Sequence, residues 1–161
     1  MSKFCKFAIL LLITFVFVAG CNKTNSDEPS LKETTDYMHK SLDANFGQRF
    51  DISKDVVIIK DLRSDGCKLT YLFTDYESSE YDLSDINPNS IKLEKIGTAS
   101  WVTFYTRNFN HSIKHIGLKD HTATYSTDHG GFALNTEEHA ASFAKALHHA
   151  VELCGGKPST F

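Results

Sequence analysis

Between residues 56 and 134 the chain is a succession of short strand-like runs closed by Gly, Asn or Asp, and this pattern restricts the fold more than any other. "VVIIKDL" (56–62) is β-branched and bounded by charged and turn residues. "CKLTYLFTDY" (67–76) alternates apolar with polar or small side chains, interrupted at Leu72. "SIKLEKI" (90–96) and "SWVTFYTR" (100–107) flank Gly97 and Thr98, which suits a hairpin. Shorter runs lie near 80–84, 112–116, 122–127 and 131–134. Such regular punctuation predicts an antiparallel meander of roughly six to eight strands rather than parallel βαβ units.

A helix is expected on each side of the meander. Ser30 and Glu33 have capping-box spacing, and Leu31, Thr35, Met38, Leu42 and Phe46 recur on one stripe up to Gly47. The first helix is therefore expected over about residues 31–46. In "NTEEHAASFAKALHHAVELCGGK", Asn135 with Glu138 looks like a second cap. Ala140, Phe143, Ala144, Leu147, Ala150, Val151 and Cys154 make the apolar stripe, and Gly155-Gly156 ends it. The class is thus α+β: helix, antiparallel meander forming a bent sheet or partial barrel, closing helix. That order, with the ending "AKALHHAVELCGGK", resembles small bacterial proteins of pleckstrin-homology-like fold over roughly the last hundred residues. The resemblance carries no catalytic motif, and such a fold by itself names no ligand.

At the other end, Lys3 and Lys6 precede an apolar run from Phe7 to Ala19. A positive start, an apolar centre of roughly 7–15 residues and a small-residue exit describe a secretory signal. A membrane-spanning helix needs about 20 apolar residues, so the run is too short to be one. Val18-Ala19-Gly20-Cys21 resembles the lipobox of bacterial lipoproteins. The resemblance implies removal of residues 1–20, a diacylglyceryl group on the Cys21 thiol and a fatty (palmitate-type) acyl group on its amine. Residues 21–30 then form a polar tether, residues 31–157 one globular domain and 158–161 a tail. Asn22, which is not Asp, leans the placement toward the outer membrane, with the domain facing the periplasm.

Four cysteines are present; Cys5 leaves with the leader and Cys21 takes the lipid. The remaining pair, Cys67 and Cys154, reads as a disulfide in an oxidising compartment, the alternative being two separate buried thiols. The formal net charge of −3 becomes more negative once Lys3 and Lys6 are lost, and no Lys/Arg cluster offers a footprint for nucleic acid.

Histidine is the enriched reactive type, at positions 39, 111, 115, 121, 129, 139, 148 and 149. Scattered surface histidines are the plain reading; a metal site would draw on His111 with His115 or His121. "DHGG" (128–131) reads as a tight turn whose glycines supply positive φ. "DYESSEYDLSD" (75–85) reads as a solvated acidic loop leading into a short strand. Trp101 and Tyr105 share one strand face and Val102 and Phe104 the other, leaving open whether the first is core or a partner surface. The expected function is that of a lipid-anchored periplasmic lipoprotein with a non-enzymatic binding or structural role, its partner an envelope protein or, for an immunity or inhibitor protein, a toxin. The alternatives are a small periplasmic hydrolase using a His with an Asp or Glu, and a histidine-based metal-binding protein. No catalytic motif and no cofactor are expected.

Overall fold

A computed structural model describes residues 28–52, 55–73, 77–117 and 124–159. Cys21, the leader before it and His121 lie outside the described residues. The α+β arrangement expected from the sequence is the one found: a first helix, an antiparallel array curving into a half-barrel, and a closing helix.

Helix α1 (Leu31–Asp43) begins with the expected capping box. The Ser30 N–H donates to Glu33 Oε2 at 2.8 Å, and the Glu33 N–H donates back to Ser30 Oγ at 3.3 Å. The helix buries Thr34, Thr35, Met38 and Leu42. It stops at Asp43, short of the expected 46, because Asn45 leaves the helix to work elsewhere. The Asn45 amide donates to Ser41 O at 2.9 Å, and its Oδ1 accepts the N–H of Asn135 at 2.8 Å. This fully buried side chain ties the end of α1 to the entry of the last helix.

Nine strands follow among the described residues: β1 (Arg49–Ile52), β2 (Asp55–Asp65), β3 (Lys68–Phe73), β4 (Glu77–Asp82), β5 (Lys92–Ile96), β6 (Ala99–Tyr105), β7 (Ile113–Gly117), β8 (Thr124–Thr127) and β9 (His129–Leu134). All pairings are antiparallel, in a six-stranded sheet ordered β1-β2-β3-β4-β7-β8 and a three-stranded sheet ordered β5-β6-β9. The β5–β6 hairpin turns at the expected place, with Gly97 at φ 60°. Two expectations are corrected. "RFDI", too short and charged to be singled out, forms β1. The short strand expected after an acidic loop begins earlier than the 80–84 candidate: residues 77–82 are a central strand between β3 and β7, with Ser78, Ser79 and Tyr81 buried, while residues 75–76 lie outside the described residues.

Helix α2 (Glu137–Leu153) is capped by Thr136 rather than Asn135; the His139 N–H donates to Thr136 Oγ1 at 3.2 Å. Asn135 stands one residue before the cap: its Oδ1 lies 2.9 Å from the His139 ring Nδ1, and its N–H donates to Asn45 Oδ1. Ala140, Phe143, Leu147, Ala150 and Val151 are buried as their spacing predicts. Phe143 packs on Phe132 of β9 with centroids 4.9 Å apart. Cys154, the last cap of α2, bonds to Cys67 in the β2–β3 turn: Sγ–Sγ 2.04 Å, Cα–Cα 5.7 Å, 87 residues apart in sequence. Closing so long a loop stabilises the fold by about 4–5 kcal/mol in the chain-entropy picture. Among the described residues no helix is long and apolar enough to cross a membrane.

Candidate functional site

Strand alternation gives β6 and β9 two different faces. Val102, Phe104 and Phe132 point to the side covered by α2 and are fully buried. Trp101, Thr103 and Gly131 point the other way, together with Lys92 and Glu94 of the paired β5. Over that second face lies a cavity of about 450 Å³, within the range of small-molecule sites. Its opposite wall comes from the odd-numbered positions of β3, β4, β7 and β8.

Pairing register builds that wall. Tyr71 is opposite Ser79, Ser79 opposite His115, and His115 opposite Tyr125, so four strands deliver one row of side chains. Ser79 Oγ lies 2.8 Å from His115 Nδ1, and His115 Nε2 lies 2.9 Å from Thr127 Oγ1. The Thr127 hydroxyl donates its single proton to His129 O at 2.8 Å. Thr127 must therefore accept from His115 Nε2–H, which leaves Nδ1 as the acceptor of the Ser79 hydroxyl proton. This network assigns the tautomer. Burial, helped by the nearby His129, holds the His115 pKa below its ordinary value against the opposing pull of Glu77, so the ring is neutral at neutral pH. The ring stacks on Tyr125 at 4.6 Å, with 14° between planes. Tyr125 donates to Glu77 Oε1 at 2.8 Å, and burial first, then this bond, pushes its pKa up to about 12.

The glycines of "DHGG" are corrected here. Gly130 and Gly131 sit inside β9, and neither has positive φ. They are small because the walls are close. A Cβ on Gly130 would lie 2.8 Å from Tyr81 and 3.1 Å from Phe104; one on Gly131 would lie 3.0 Å from Val102 O and 3.2 Å from Trp101. Two aromatic rings can thus lean over β9.

Polar satisfaction is uneven around the cavity. Trp101 Nε1 and Thr103 Oγ1 are shielded from solvent and have no hydrogen-bond partner among the described residues. The Tyr71 hydroxyl approaches the Ala133 backbone without completing a hydrogen bond, and burial drives its pKa above the ordinary tyrosine range. An unpaired buried group of this kind costs about 1–3 kcal/mol, so three among the side chains lining one cavity are unusual. Charges, by contrast, are matched: Lys92 Nζ lies 2.5 Å from Glu94 Oε1, and His129 Nδ1 lies 2.8 Å from Asp128 Oδ1 at the rim. Beside the rim, Asn108 and Phe109 both have positive φ (55° and 54°), a strained pair that leaves Phe109 58% exposed against Tyr105.

Of the metal candidates, His115 is in this row, whereas His111 is exposed and pairs with Ser126 O at 3.2 Å. The two are not brought together. Among the described residues no group of three or more His, Cys, Asp or Glu is placed to hold a metal ion. The other histidines are dispersed: His39 near Asp43 and Asp61, His148 near Glu152, His139 with Asn135, and His149 with Pro29 O. Sequence reading passed over Glu77, Ser79, Thr103 and Tyr125. The signal for the first two was the alternation Glu77-x-Ser79-x-Tyr81, hidden inside a stretch that looked like acidic loop.

A nucleophile, base and orienting acid need the serine and the carboxylate on opposite nitrogens of the imidazole. Here both come to Nδ1: Ser79 at 2.8 Å and Glu77 at 3.7 Å, while Nε2 goes to Thr127. The row is built to hold a ring in place, and the open hydrogen-bonding capacity is on the facing wall. Comparison with protein families, curated proteins and solved structures finds no match for this chain.

Proposed function

We propose that the chain is a lipid-anchored envelope protein whose domain binds a component of the envelope in the cavity between its sheets, without catalysing a reaction. The observation that carries the binding role is one aromatic-lined cavity whose lining includes Trp101 and Thr103, two side chains whose polar atoms are sealed from solvent and unpartnered among the described residues. The anchor rests on the leader and on Val18-Ala19-Gly20-Cys21. The two halves fit geometrically. His149 Nε2 of α2 lies 2.8 Å from Pro29 O, so residue 29 rests beside the closing helix. From Cys21 to Pro29 the chain reaches at most about 27 Å, which keeps the domain close to a membrane.

Mass spectrometry of the mature protein tests the placement. An N-terminus at Cys21 carrying a diacylglyceryl group, lost together with membrane association in Cys21→Ser, is the expected result. A mature chain that begins elsewhere or carries no lipid sinks it.

A hydrolase is the second reading, favoured by the Ser79–His115 hydrogen bond within the cavity. A fluorophosphonate that labels Ser79, and does not label the His115→Gln variant, would reverse the choice.

A further inference from the structure

We propose that the cavity takes an uncharged, mostly apolar ring compound bearing at least one oxygen acceptor, seated against Trp101 and Thr103. The proposal rests on the binding role above and adds the chemistry of the ligand. Three features of the walls define it.

Shape and polarity come from the aromatic residues. Tyr71, Phe73, Tyr81, Trp101, Phe104 and Tyr125 all line the space, and rings favour a flat or compact apolar partner through stacked and edge contacts. A strongly hydroxylated sugar would leave most of its own polar groups facing carbon. Each such group is costly once it leaves water.

Charge is excluded by the pairing already in place. The Glu77 carboxylate is engaged by the Tyr125 hydroxyl, and the His115 nitrogens are both occupied. Lys92 and Glu94 neutralise each other. Among the described residues an ionised ligand meets no free counter-charge, and the desolvation of its charge goes uncompensated by them.

The acceptor is demanded by the indole. Its N–H can only donate, so whatever completes it must carry a lone pair. Thr103 Oγ1, two residues along the same strand face, can donate to the same oxygen or to a second one. Both side chains are part-buried while their polar atoms are sealed from solvent, so the ligand's oxygen meets them by turning the side chains toward the space. A carbonyl oxygen on an aromatic or cyclic body satisfies all three conditions. Ketones, esters and quinones are the class described.

Trp101 is the only tryptophan of the chain, which makes the test direct. In ¹⁵N-labelled protein its indole N–H gives one resolved signal. Four probes are titrated: acetophenone, ethylbenzene, benzoate and methyl glucoside. Acetophenone is expected to move that signal saturably, while ethylbenzene, which lacks the acceptor, binds about three- to tenfold more weakly and leaves the signal near its free position. Thr103→Val and Trp101→Phe are expected to weaken acetophenone by a similar factor, read for the second variant from the Tyr125 and His115 resonances. Equal binding of ethylbenzene with an unmoved indole signal overturns the acceptor role. Saturable binding of benzoate or the glucoside without acetophenone overturns the ligand class while leaving the cavity as a binding site. No saturable change at any cavity resonance with any of the four overturns both.

Discussion

Strands β6 and β9 carry two faces that differ in how completely they are used. On the α2 side, Phe132 meets Tyr71, Tyr81, Phe104 and Phe143, with ring centroids 4.9–5.9 Å apart, and Val102 and Phe104 are fully buried. That side is packed like any protein interior. On the other side the same strands present Trp101, Thr103 and Gly131 to a cavity, with polar atoms left over. The contrast teaches that one pair of strands can supply both the core that keeps the fold and the face that is free to recognise something. The first face is filled by the chain's own aromatic rings, whereas the second carries Trp101 and Thr103, whose polar atoms have no partner among the described residues.

If the contrast is real, substitutions on the two faces differ in size and even in sign. The largest effect belongs to the packed side. Phe132→Ala is expected to cost about 3–5 kcal/mol in urea unfolding, because the cavity it leaves is walled by four other rings. A loss below about 1 kcal/mol would mean that side is looser than described. At the boundary of the two faces, Gly130→Ala is expected to cost about 1–3 kcal/mol, since its Cβ would meet two aromatic rings.

On the cavity side the effects shrink. His115→Gln is expected to lose about 1 kcal/mol through its bonds to Ser79 and Thr127, and to change how stability depends on pH. Burial holds the His115 pKa below 6.5, so the unfolded chain takes up that proton first as pH falls. The contribution of His115 is therefore complete above pH 6.5 and is lost as pH falls below it through the folded value. Urea midpoints measured across that window should show a slope in the native chain that is smaller in His115→Gln. An identical slope in both would remove His115 from the account. Smallest of all, Thr103→Val is expected to change stability by less than about 1 kcal/mol, in the stabilising direction, because it deletes an unpaired hydroxyl without changing shape. A clear destabilisation would show that Thr103 has a partner in solution.

Much of this architecture was legible in the residues. The stripe of Ala140, Phe143, Leu147 and Val151 has no other use than a helix face, and the capping box at Ser30 and Glu33 marks the start of α1 by local bonding alone. Alternation in "SWVTFYTR" divided Trp101 from Val102 correctly, since the side-chain period of a strand is local too. Cys67 and Cys154 were paired by arithmetic and placement. Where the reading failed, the cause was non-local. Thr136 is the cap in place of Asn135, whose N–H is held by Asn45, 90 residues away, and whose amide oxygen meets the His139 ring. Glycines 130 and 131 looked like turn residues because nothing nearby in sequence reveals Tyr81 and Phe104 against the first or Trp101 and Val102 O against the second. The run around Glu77 looked like solvated loop because its charges are visible locally, whereas its two flanking strands are not.

The order of elements, the buried stripes and the choice of sulfurs were set by the sequence itself, since each follows from spacing, propensity and composition within a few residues. Which side chains share a cavity was decided only on folding. Ser79, His115 and Tyr125 come from strands separated by tens of residues, and they meet because antiparallel register places them in one row. A shift of that register by one residue would turn every one of them to the opposite face.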